Sequence, residues 1–358
     1  MYRFILQGRT GVADRLADTT LWFVATAHVI AAAVFLSILL SLSPANAAAE
    51  CGGENLLPRI EADNPAAYAK LIEEAEATPN GEGIFWRIEK AGTQPSYLLG
   101  TMHVTDPRVL AMPKGASAAY EAAGTVVVES DEIADEKKAS AALLARPDLT
   151  MFTDGRTIPG LLGEKDSAIL AAGLKARGLS LAAVSRMKPW MIASFVALPA
   201  CEMARKQAGA AFLDQQLAKD AIADGKALKG LETLLEQISA LDSLPLEPQL
   251  AGLVEVVQLG DGIEDVIETM SQLYLAGQTG MIMPMMRAAV PEGQDGEDGY
   301  ADFEQRIIID RNHRMAERAA PILAAGNAFV AVGALHLPGK EGLVELLRHE
   351  GFTVTPMH

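Results

Sequence analysis

With 358 residues, half of them hydrophobic, and a formal charge of −16, the chain has enough apolar material for a sizeable core and does not read as disordered. An acid excess without a basic cluster excludes the phosphate backbone of a nucleic acid as partner, because that recognition rests on Lys and Arg neutralising phosphates. P-loop, G-x-S-x-G, C-x-x-C and H-E-x-x-H patterns are all missing, which removes the commonest nucleotide, serine-hydrolase, redox and helical zinc-protease devices.

Residues 1–47 read as an export leader. Arg3, Arg9 and Arg15 make a positive start, an apolar run covers residues 21–42, and Ala45 and Ala47 offer small side chains for cleavage after Ala47. The run is long enough to span a bilayer, so an uncleaved anchor facing the periplasm, tethered through residues 21–42, is the alternative to a free exported, periplasmic chain. Removing the leader, with three Arg and two Asp, takes the charge of the remaining residues 48–358 to −17. Both cysteines, Cys51 and Cys201, fall in the exported part, where an oxidising compartment makes a disulfide between them the expected state; two separately buried thiols are the alternative.

The remaining elements follow in order. Residues 62–78 carry a helical pattern that "NGEG" ends. "IFWRIEK" and "SYLLG", joined through Gly92 to Pro95, predict a hairpin, "PKGASAAYEAAG" a short helix, and "TVVVESDE" a buried strand that stops at Glu129. A large helical section follows over about 135–225, with "WMIASFVALPACEMARKQ" and "AAFLDQQLAKDAIADG" among its helices. "KALKGLET" is another short strand, ending at Glu232. Two further helices precede the methionine-rich "TGMIMPMMRAA", whose spacing is that of adaptable core packing. "VPEGQDGEDGY", residues 290–300, has no apolar anchor and predicts a mobile loop. A long helix, the strand "NAFVAVGALHL", a helix and a last strand "FTVTP" close the chain. Strands alternating with helices predict an α/β fold with a central, mostly parallel sheet, an N-terminal hairpin and a large helical middle section.

In a parallel sheet the carboxyl ends of the strands share one edge and border a ligand crevice. Four predicted strands end in chemistry-bearing side chains: His103, Glu129, Glu232 and His336. Gly100 and Gly333 stand three residues before the histidines, where a residue without a side chain lets the next element approach. Two imidazoles and a carboxylate suit a divalent metal that keeps a position open for water, and the second glutamate could relay a proton. The bland readings stay open. Each histidine could be a hydrogen-bonded core residue, each glutamate a helix cap, and Arg311 with Asn312 a solvated helix face.

"YLLGTMHV", "VVVES", "LDQQLAKDAIADGKALKGLET", "IDRNHRMAE" and "FVAVGALHLPGKEGLVELLRHEGFTV", in that order, resemble the TraB/GumN family, which includes the animal Tiki proteins. The resemblance implies an erythromycin-esterase-like α/β fold and a metal-dependent peptidase using manganese or cobalt rather than zinc. Carried over by position, it makes His103, Glu129 and His336 the metal site, with Glu129 also catalytic and Glu232, Arg311 and Asn312 in support. The expectation is therefore an exported metal-dependent hydrolase acting on a peptide or small molecule. A metal-independent ester hydrolase with His103 as base, and a haem- or metal-binding protein without turnover, are the alternatives.

Overall fold

The computed structural model describes residues 51–289 and 296–357. The leader, its cleavage and the anchor through residues 21–42 lie outside the described residues, as does the first part of the acidic loop at 290–295.

Six strands form one sheet: β1 (Phe85–Glu89), β2 (Ser96–Thr101), β3 (Thr125–Val128), β4 (Ala227–Gly230), β5 (Ala328–Gly333) and β6 (Thr353–Pro356), in the spatial order β4-β3-β5-β2-β1-β6. The hairpin β1–β2 turns through Gly92, whose φ of +83 is a conformation glycine adopts freely. β2, β5, β3 and β4 run parallel, with Thr101 opposite Gly333, Val128 opposite Ala331 and Val128 opposite Gly230. β6 closes the far edge antiparallel to β1. The decisive feature is that β5, last of the parallel strands in sequence, inserts between β2 and β3. Its carboxyl end is thereby flanked by theirs.

The β-branched runs are buried on both faces, as parallel strands require. Alternation sends Leu98, Val127, Val330 and Val332 to one face, against Met315, Ala319 and Leu323 of the helix Asp310–Ala325 and Val344 and Leu347 of the helix Leu343–His349. Leu99, Val126, Val128 and Phe329 point to the other, against the helices Ala116–Ala122 and Leu213–Ala223. A separate helical core joins Glu164–Ala176, Pro189–Val196 and Leu246–Leu259 through Leu170, Leu174, Ile192, Val196, Leu253 and Val257. Among the described residues no helix is long and apolar enough to cross a membrane.

Three expectations are corrected. "WMIASFVALPACEMARKQ" is two helices, Pro189–Val196 and Ala200–Gln207, because Pro199 has no N–H to continue the first and biases the residue before it away from helix. The helix expected over residues 62–78 breaks at Asn64, whose side chain accepts from Ala67 N and caps a second helix, Pro65–Ala77. Residues 296–300 do not continue the acidic loop; they open the helix Gly296–Phe303.

Cys51 and Cys201 form a disulfide that spans 150 residues of sequence, a cross-link worth on the order of 2–4 kcal/mol. The segment after Cys51 lies along the helix Gly262–Leu275, where Glu54 N donates to Asp265 Oδ1 and Leu56 N to Thr269 Oγ1, both at 2.8 Å. On the other side of the bond, Glu202 is fully buried and accepts from both Thr105 N and Thr105 Oγ1 at 2.8 Å.

Candidate active site

All four strand-end residues stand on the same edge, because the strands that deliver them are parallel. Glu129 follows β3 directly, and the β3–β4 ladder continues one step beyond both strands through Glu232 N donating to Glu129 O at 2.7 Å. His103 and His336 sit in the turns after β2 and β5. The two glycines are explained by crowding. A Cβ on Gly100 would stand 2.7 Å from Leu337 Cδ1 and 3.1 Å from Ala334 Cα, and one on Gly333 would stand 3.1 Å from Glu129 Oε1. Larger residues would push the second histidine turn off the first strand, and the glutamate off its place beside that turn.

His336 is buried and its tautomer is fixed. Asn312 Nδ2 donates to Glu341 O at 2.8 Å, which turns Asn312 Oδ1 toward His336 Nδ1, 2.7 Å away. Nδ1 therefore carries the proton and Nε2 presents a lone pair. That lone pair faces Glu129 Oε1 at 3.7 Å. Burial pushes the His336 pKa down to about 4, against the pull of Glu129, so the ring is neutral at pH 7. Burial works in the opposite sense on Glu129, but His336, the Arg311 guanidinium, His103 and the Gly333 N–H together hold its pKa at about 2.

Glu129 is held from every side: Gly333 N donates to Oε1 at 2.7 Å, and Gln237 Nε2 and Arg311 Nη2 donate to Oε2 at 3.0 and 2.6 Å. Arg311 also donates from Nε to Glu232 Oε2 at 2.8 Å and from Nη1 to Ile307 O at 3.3 Å. Arg314 donates to the other Glu232 oxygen at 2.7 Å. Glu232 is thus engaged on both oxygens by cations and fully buried, a placement suited to holding Arg311 rather than to relaying a proton. Arg311 and Asn312 are buried, so they are no solvated helix face. Both follow a π-helical turn, Glu304–Ile309, in the otherwise α-helical rod that ends at Ala325.

His103 stands differently. Its side chain is 54% exposed, and its Nε2 lies 3.8 Å from Asp214 Oδ1, which also accepts from Thr101 Oγ1 at 2.7 Å. Burial depresses the His103 pKa, but the nearby carboxylates, Asp214 first and then Glu129, outweigh that and raise it. His103, Glu129, Arg311, Asp214, Ser130 and Gln237 line one pocket of about 180 Å³. Two buried polar atoms of its lining, Ser130 Oγ and Asp214 Oδ2, have no hydrogen-bond partner among the described residues. Among the described residues, no three His, Cys, Asp or Glu side chains are already gathered within reach of one ion. His336 and Glu129 face one another, and His103 shares the pocket with Glu129 while turned toward Asp214.

The TraB/PrgY/gumN family matches residues 84–356, from the start of the sheet to its last strand, and so includes every residue of the site. The chain belongs to the TraB/PrgY/gumN family. It is 24% identical over 326 residues to a protein named Metalloprotease TIKI homolog from Nematostella vectensis, covering 78% of this chain and 68% of that one. It is 24% identical over 303 residues to Metalloprotease TIKI2 from Danio rerio, covering 73% of this chain and 58% of the zebrafish protein, less than two thirds of its length. No solved structure matches. In this TraB/PrgY/gumN chain, Asp214, Thr101 and Gln237 are the site residues that sequence reasoning missed. For Asp214 a signal was present: it shares its helix face with Leu217, Ala218 and Ala221, all buried, and a carboxylate on such a face needs a partner.

Proposed function

We propose that the protein is an exported, metal-dependent hydrolase that cleaves peptide bonds at the carboxyl edge of the sheet. The observation that carries this reading is the His336 Nε2 lone pair facing Glu129 Oε1. Two electron-rich atoms opposed in a buried site call for a cation between them, and a proton does not serve because His336 is neutral at pH 7. The chemistry of the donors suits a divalent ion: His336 Nε2 and a Glu129 oxygen would hold it, and the His103 imidazole would become the third ligand only by turning from Asp214 toward Glu129, giving a two-histidine, one-carboxylate set. Manganese and cobalt are the preferred candidates, as the resemblance to Tiki implies. When bound, such an ion supplies a Lewis acid and lowers the pKa of water.

The chain's own residues supply the rest. Asn312 keeps the proton of His336 on Nδ1, so that Nε2 stays available as a ligand. Arg311, braced by Glu232, balances the charge of Glu129 and fixes its orientation. Asp214 raises the basicity of His103 and aligns its ring. The Asp214–His103 pair also supports a second reading, in which His103 acts as a general base on an ester without metal. The export leader and the disulfide between Cys51 and Cys201 support a periplasmic site of action.

The test is metal analysis of untagged protein together with hydrolysis of a peptide library before and after chelation. Loss of cleavage on chelation and its recovery with manganese or cobalt are expected. Cleavage that ignores chelation would sink the metal reading, and ester hydrolysis under the same conditions would favour His103 as base.

A further inference from the structure

The charged floor of the pocket beside Glu129 has apolar walls. Ile133, Phe212, Leu241 and Ile307 supply them, each from a different element: the turn Asp131–Ala134, the residue before Leu213–Ala223, the helix Leu234–Asp242 and the π turn. Ile133, Phe212 and Leu241 are only half-buried, so apolar surface stays open to water right beside the reacting groups. Such surface is covered at a gain in free energy when a fitting apolar group enters. The size of that group is set by the cavity. An apolar cavity of ~150 Å³ accepts benzene, so about 180 Å³ takes one side chain of medium size.

The polar groups around it have little to offer a charged side chain. Arg311 has its donors on Glu129, Glu232 and Ile307 O, which leaves no fork for a substrate carboxylate. Asp214 turns one oxygen to Thr101 and His103 and buries the other, which leaves none at the pocket surface for a basic side chain. Glu129 is committed elsewhere, Oε2 to Arg311 and Gln237 and Oε1 to Gly333 N and the space facing His336. Phe212 packs on the His103 ring, with centroids 4.9 Å apart, so an occupant of the pocket lies against the wall that flanks His103.

We infer that this pocket sets specificity: it receives an apolar side chain of leucine, methionine or phenylalanine size from the residue adjoining the scissile bond. The inference rests on the peptidase reading given above. Its substrates are accordingly peptides with such a residue at one fixed position relative to the cut, whatever their remaining sequence.

The experiment is a peptide library varied at that position, assayed with wild type, Ile307→Ala and Leu241→Phe. Wild type is expected to favour Leu, Met or Phe over Asp, Lys or Gly by roughly tenfold or more in kcat/KM. Ile307→Ala enlarges the pocket and should move the optimum toward larger rings. Leu241→Phe, at a half-buried position, should move it toward alanine. Opposite shifts distinguish a change of pocket from a folding defect, which would lower all rates together. Cleavage that is indifferent to the varied residue, or unmoved by both variants, overturns the pocket and leaves the peptidase reading standing. If no peptide is cut, the peptidase reading fails with its substrate assignment. Toluene then tests the pocket alone, by NMR of the Ile133, Leu241 and Ile307 methyl groups. Shifts with toluene but not with acetate uphold an apolar ligand class, and their absence overturns it.

Discussion

The two Gly-x-x-His turns have the same spacing and follow adjacent parallel strands, offset by one residue with Gly333 opposite Thr101, yet they deliver histidines of opposite character. His336 is buried, held through Nδ1 by Asn312, and kept neutral. His103 stands half exposed at the pocket, faces Asp214, and is made more basic. The strand end decides where an imidazole stands, and its neighbour decides what it can do. The buried turn belongs to a charge network that is also scaffold, whereas the exposed one is tuned chiefly by Asp214 and can be altered with less damage.

The comparison is broken most severely on its buried side. Arg311→Met strips Glu129 and Glu232 of their shared cation and should cost about 3–5 kcal/mol of stability by urea denaturation; a loss below about 1 kcal/mol would mean that the network is not scaffold. Asn312→Ala frees the His336 tautomer and orphans its Nδ1–H, for an expected loss of about 1–3 kcal/mol and roughly 10–100-fold in activity. On the exposed side, Asp214→Asn should lower activity only by a factor of a few. The His103 pKa, followed by NMR, should drop back toward 6.5 in that variant.

The comparison also predicts the shape of stability against pH. His336, with a folded pKa of about 4 against 6.5, takes up its proton more readily in the unfolded chain, so its contribution falls as pH drops from about 6.5 to 4. His103, with a raised folded pKa, contributes stability that is complete below about pH 6.5 and is lost as pH rises through the folded value. His336→Gln should flatten the acid limb and His103→Gln the alkaline limb. If both variants trace the wild-type profile, the two environments do not differ as described.

Much of this site was legible because parallel strands announce themselves. Short β-branched runs such as "TVVV" and "FVAV" mark where each strand stops, and a polar residue just beyond a buried run has few other places to be. The sheet order was not legible, since insertion of β5 between β2 and β3 is a long-range event without a local signature. Asp214 and Gln237 were missed for a related reason: they reach the edge from helices, and a carboxylate in the first turn of a helix already has a local explanation in the helix dipole. The π turn before Arg311 leaves a helical pattern intact, and only the backbone reveals it.

The disulfide bears on one histidine and not on the other. From Cys201 the next residue, Glu202, grips Thr105; three residues on, Arg108 donates to Glu268 of the helix Gly262–Leu275; along that helix lies the segment that begins at Cys51. These contacts form a closed circuit with the sulfur bridge as its clasp, and the stretch Thr105 to Arg108, just after His103, is one of its links. His336 stands outside the ring, held through Nδ1 by Asn312 and by the packing of Ala334 and Leu337 in its turn. Opening the clasp would remove one link from the circuit that braces the loop after His103 and would leave the Asn312 contact of His336 untouched.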